Sequence, residues 1–100
     1  MEQQEKKEQQ IQIEIDDITA QGVYSNLAII SHSSDEFVID FVFIQPQIPK
    51  AKVRTRIITT PQHIKRFLNA LEDNIKKYEE KFGEIKIDNS QKIPKIGFVH

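Results

Sequence analysis

Residues Glu36 to Ile44 run Glu-Phe-Val-Ile-Asp-Phe-Val-Phe-Ile. On a strand, successive side chains alternate between faces, so Phe37, Ile39, Phe41 and Phe43 share one face and Val38, Asp40, Val42 and Ile44 the other. Apart from one carboxylate, both faces are apolar, and a strand of that kind needs cover on both sides. The chain has 100 residues, enough for one domain. Its periodicity offers a single long helix, which can cover one face of a sheet and leaves the other to something else.

The helix is bounded at both ends by residues suited to the task. Thr60 stands at the N-cap and Pro61 at the first helical position, where its missing N–H has no role to lose. Ile64, Phe67, Leu68, Leu71, Ile75, Tyr78 and Phe82 then recur on one face of a 3.6-residue period. Glu72 with Lys76 and Asp73 with Lys77 are four-residue pairs in the favourable order on the polar side. Gly83 follows as the stop.

Three other segments read as strands. Ile11, Ile13 and Ile15 alternate with Gln12, Glu14 and Asp16; Val23 to His32 and Lys52 to Thr59 are rich in β-branched residues. The fold class expected is α+β, a four-stranded antiparallel meander with strands at about 11–16, 22–32, 36–45 and 51–59. One long C-terminal helix at about 60–82 is expected to pack on one face, a ββββα order. A hairpin centred on Ser34 sets Leu27 against Phe41 and Ile29 against Ile39; one centred on Ile48 sets Asp40 against Arg56. These registers place Leu27, Ile29, Phe37, Ile39, Phe41, Phe43, Val53 and Ile57 under the helix. They leave Ile30, Val38, Val42 and Ile58 as an apolar patch on the opposite face. Such a patch marks an interaction surface, and a second copy of the chain is the simplest cover.

Composition narrows the chemistry. There is no cysteine, which removes disulfides, thiolate metal sites and cysteine nucleophiles. Fourteen basic residues against fifteen acidic give a formal net charge of −1, with no overall bias toward nucleic acid or anionic membrane. No apolar run approaches the ~20 residues of a membrane span, and none follows the charged, amide-rich N-terminus as a secretory signal would require. A cytoplasmic protein is expected. Residues 1–10 read as a flexible polar tail, 11–88 as a single α+β domain and 89–100 as a C-terminal tail.

Asp40 interrupts an apolar strand, where an isolated carboxylate is costly to bury. One reading makes it a catalytic acid or ligand; the other pairs it with Arg56 or Arg54 across the strands as a structural ion pair. His32, His63 and His100 show no metal-binding or metalloprotease spacing. No serine sits in a nucleophile elbow, and no glycine-rich phosphate loop is present. The expectation is a non-enzyme with no cofactor and no metal. Lys50, Lys52, Arg54 and Arg56, extended by His63, Lys65 and Arg66, form a basic strip around residues 50–66. It supports the alternative of a nucleic-acid-associated regulator.

Several blocks together carry a family resemblance: Tyr24-Ser25-Asn26, Glu36-Phe37-Val38-Ile39-Asp40-Phe41, Arg56 to His63, Leu68-Asn69-Ala70-Leu71, Asn74-Ile75 and Tyr78 to Gly83. Over roughly residues 20–87 the sequence resembles a bacterial and archaeal family known only as domain of unknown function three-four-six-seven. The resemblance implies a small single domain and assigns no activity. Four strands followed by a long helix is also similar to the order in the export chaperone SecB, a likeness of architecture alone. The function expected is therefore a non-enzymatic, homo-oligomeric protein-binding module, an adaptor or a chaperone-like holder of an extended protein client.

Overall fold

A computed structural model of the chain describes residues 9–88. In chain order its elements are a helical turn α1 (Asp17–Ala20), strands β1 (Leu27–His32), β2 (Phe37–Ile44) and β3 (Ala51–Thr59), and the long helix α2 (Pro61–Phe82). The strands form one antiparallel sheet in the order β1-β2-β3. The class is α+β, but the sheet has three strands and not the expected four. Of the segments expected as tails, residues 1–8 of 1–10 and all of 89–100 lie outside the described residues.

The expected strand at 11–16 is absent. Ile11, Ile13 and Ile15 are 85%, 91% and 65% exposed. Alternation decides which side chains share a face; it does not bring a free edge within reach. Here the chain turns away at once. The Asp16 carboxylate accepts the Thr19 N–H at 2.7 Å and caps α1, and Gly22 follows with a φ of +76°, which glycine adopts without steric cost. Strand β1 accordingly begins at Leu27 and not near residue 22.

The β1–β2 register also differs from expectation, by one residue. The Ser33 N–H donates to the Glu36 carbonyl at 2.9 Å, and the Ser33 hydroxyl accepts from the N–H groups of Asp35 and Glu36. These bonds close a tighter turn than one centred on Ser34, with Ser34 and Asp35 at its tip. The pairs are therefore Leu27 with Val42, Ile29 with Asp40 and Ile30 with Ile39. A one-residue slip exchanges the faces of a strand. Leu27 and Ile29 join Val38, Asp40 and Val42, whereas Ile30 joins Phe37, Ile39 and Phe41. The β2–β3 register sets Asp40 against Arg56 and Ile39 against Ile57, as the hairpin about Ile48 predicts, until a shift beside Phe41 and Val42 leaves Arg54 as the extra residue of a β-bulge.

Helix α2 matches its expected limits and departs from its expected position. Thr60 is extended (φ −86°, ψ 158°) and its hydroxyl accepts the His63 N–H at 3.1 Å. At the far end Gly83 has a φ of +99° and donates its N–H to the Glu79 carbonyl. Yet α2 shares no extended contact with any strand, and none of its residues is buried. The cause is the junction. Strand β3 ends at Thr59 and α2 begins at Pro61, so Thr60 alone connects them. Strand–helix connections that lay a helix back on its sheet take about 2–6 residues. Proline also holds the preceding residue extended. The helix therefore leaves the sheet without reversing over it.

The core is correspondingly small. Among the described residues only Ile39, Val42 and Asp40 are buried, all on the central strand. Replacing Thr60 by Ala removes the N-cap acceptor and is expected to lower unfolding free energy by about 0.5–2 kcal/mol, while Thr60→Ser should cost far less. Urea unfolding followed by circular dichroism measures both.

Candidate functional site

The middle of β2 places Asp40 between Ile29 of β1 and Arg56 of β3, with Val38 and Val42 before and after it on the same face. Asp40 is 4% exposed. Arg56 Nε donates to Asp40 Oδ1 at 2.7 Å, and Nη2 donates to Oδ2 at 2.8 Å. This two-pronged geometry matches the guanidinium fork to the carboxylate plane. The Arg56 side chain remains 57% exposed, so one partner is enclosed by the sheet and the other lies across it in water. The hydrogen bonds from Arg56 hold the Asp40 carboxyl below its ordinary range, against the opposing effect of desolvation. A general acid needs its carboxyl raised toward working pH. Asp40 is shifted the other way, with both oxygens held by a cation.

The remaining polar candidates also serve the backbone or a neighbouring ring. The Asn26 side chain donates to the Ile44 carbonyl at 3.1 Å and accepts the Ile44 N–H at 2.9 Å, so an amide side chain completes the ladder at the end of β2. Tyr24 meets Phe43 edge to face at 5.9 Å. His32 stacks on Phe37 at 5.3 Å, and the His63 backbone belongs to the N-cap of α2. Asn74 donates to the Ala70 carbonyl, and the Glu79 carboxylate accepts the Ile85 N–H just beyond Gly83. His100 lies outside the described residues. Among the described residues no group of three or more His, Cys, Asp or Glu could hold a metal ion, and no helix is long and apolar enough to cross a membrane.

The apolar surfaces are far larger than the polar site. Phe67, Leu68, Leu71, Ile75, Tyr78 and Phe82 of α2 are between 39% and 64% exposed. Of the four residues expected to form an oligomer interface, Val38, Val42 and Ile58 share the Asp40 face, with Val42 itself buried; Ile30 lies on the opposite face, 58% exposed. The expected ion-pair set likewise divides, since Arg56 binds Asp40 and Arg54 occupies the bulge. An open hollow of about 490 Å³ is lined by Phe43, Gln45, Lys50, Ala51, Lys52 and Arg54, and so gathers the first part of the basic strip. The later part, His63, Lys65 and Arg66, stands on α2.

A known family matches residues 1–87, which is most of the chain. The chain belongs to the DUF3467 family. That family is described as a protein of unknown function. No curated protein and no solved structure matches the chain. The likeness to SecB required four strands, and the three-stranded sheet removes its basis. In this DUF3467 chain the residues that carry the family resemblance coincide with the junctions of the fold: Asn26 at the end of the sheet, Asp40 and Arg56 across its middle, Thr60 and Pro61 at the helix start, Glu79 and Gly83 at its stop. The signal for Asn26 was present in the sequence as an amide beside an apolar strand, but only the register reveals what it binds.

The sign of the Asp40 effect follows from its lowered pKa. Its stabilisation is complete above the ordinary carboxylate range near pH 4 and is lost as pH falls through the lower native value. Asp40→Asn should therefore be less stable than the parent chain at pH 7, and the gap should close at acid pH. Asp16, also lowered by its Thr19 bonds, contributes equally to both proteins. Urea titrations of the pair from neutral pH to pH 3 would show the convergence; a gap independent of pH would contradict this role.

Proposed function

We propose that this DUF3467 chain is a non-enzymatic protein-binding module that works as a homo-oligomer, with the α2 stripe of each copy buried against another copy. The observation that carries the reading is the bare stripe of α2, held off the sheet by a one-residue junction. Large side chains carry roughly 150–250 Å² each, so six of them half exposed leave on the order of 600 Å² of apolar surface per chain. Two copies meeting there would remove on the order of 1,200 Å², the lower end of specific interfaces. The stripe is flanked by charges of both signs, including the Asp73–Lys77 pair at 3.2 Å, which suits a polar rim around an apolar seam. A second copy supplies the same stripe and the same rim, as a symmetric contact requires. Sheet surface outside the seam, such as Ile58 at 56% exposed, is where an extended protein client would bind, in an adaptor or chaperone-like role.

A second reading rests on the hollow around Phe43, where Lys50, Lys52 and Arg54 would meet phosphate groups of a nucleic acid. Against it stand the net charge of −1 and the commitment of Arg56 to Asp40. Phosphate binding releases counterions and falls steeply with salt.

Light scattering on the full chain at micromolar concentration should give a mass above that of one 11.7 kDa chain. Leu71→Glu, in the middle of the stripe, should lower that mass, whereas a change at Glu72 on the polar side should not. A monomeric parent chain would overturn the proposal. Tight oligonucleotide binding that survives moderate salt would favour the second reading over a protein client.

A further inference from the structure

The two outer strands of the sheet present different edges. Strand β3 carries Lys52, Arg54 and Arg56 and a bulge at Arg54, features that oppose pairing between identical edges. Strand β1 reads Leu-Ala-Ile-Ile-Ser-His, with no Lys, Arg, Asp, Glu or Pro. Among the described residues no segment pairs with its outer side. Nothing on that edge repels a second copy of itself.

The hydrogen-bond pattern fixes which groups are available. Ser33 and Glu36 form a hydrogen-bonded pair, shown by the 2.9 Å bond from the Ser33 N–H to the Glu36 carbonyl. Such pairs alternate along an antiparallel ladder. The N–H and C=O groups of Leu27, Ile29 and Ser31 therefore turn toward β2, and those of Ala28, Ile30 and His32 turn outward. The Asn26 N–H, bonded to the Val42 carbonyl at 3.0 Å, is also directed inward. Opposed residues of an antiparallel pair lie on the same face, so a two-fold pairing of β1 with itself must be centred on a residue and not between two. Centring on Ile29 would need an outward N–H at Asn26, whereas that N–H is bonded inward to Val42. Centring on Ile30 pairs Ile30 with its copy and Ala28 with His32, and uses every outward group of the strand.

We propose that β1 is a self-pairing edge. Two copies join antiparallel about Ile30, and their sheets merge into one of six strands in the order β3-β2-β1-β1-β2-β3. This rests on the homo-oligomeric reading above and specifies a contact separate from the α2 stripe. Ile30, 58% exposed in one chain, lies at the two-fold axis beside its copy. Each face of the merged sheet continues across the joint without reversal.

The chain has no cysteine, so an introduced pair reports alone. In this register Ile29 lies opposite Ser31 of the second copy as a non-hydrogen-bonded pair, with Cα atoms about 4.5 Å apart, within disulfide reach. Full-length Ile29→Cys and Ser31→Cys chains, mixed in denaturant, refolded together and gently oxidised, should give the mixed disulfide in about tenfold excess over either self-linked product. Random pairing would give only a twofold excess. As a second arm, Ile30→Pro removes an outward N–H that no group of its own chain uses, and so should reduce the oligomer mass while the sheet persists. An oligomeric parent with random or Ile29-to-Ile29 linkage would overturn the β1 pairing and leave the homo-oligomeric reading standing. A monomeric parent would overturn both.

Discussion

The single residue between β3 and α2 governs most of the structure. Thr60 must be extended to cap the helix and to precede Pro61, and no other residue is available to reverse the chain. A 22-residue amphipathic helix is thereby held away from the sheet beside it. The α2 stripe stays half exposed, and the sheet is only partly covered. Among the described residues the buried set is confined to Ile39, Asp40 and Val42 of β2. On the proposed reading a second copy covers the α2 stripe, and the residues that define the helix define that contact.

Within the sheet, Asp40 and Arg56 lock the register of β2 against β3. A carboxylate among Ile29, Val38 and Val42 is tolerated because one guanidinium satisfies both of its oxygens. Any slip of β3 would leave it without that partner. Asn26 has a related role at the other strand pair, where its amide stands in for a residue of the ladder. Polar groups in this chain specify pairing, and apolar groups supply the surface that pairing presents.

Much of this was legible in the residues themselves. Thr60, Pro61 and Gly83 marked the limits of α2, and the pairing of Asp40 with Arg56 followed from the loop around Ile48. The β1 face was not legible, because it depended on the hydroxyl of Ser33 drawing in two N–H groups and moving the centre of the turn by half a residue. The segment Ile11 to Ile15 has a strand's alternation, but sequence periodicity does not state whether the chain carries it to a sheet edge. The separation of α2 from the sheet was written in the adjacency of Thr59, Thr60 and Pro61. It stayed hidden while the helix was assumed to cover its own sheet.

On the proposed reading, the native fold is completed by a second copy. Folding coupled to association makes apparent stability rise with protein concentration, whereas a self-sufficient monomer has a fixed unfolding midpoint. For a dimer, a hundredfold increase in concentration, from about 1 to about 100 μM, should add about 2.7 kcal/mol to the apparent unfolding free energy. Urea midpoints measured across that range should therefore climb steadily. Midpoints that coincide at every concentration would contradict the account.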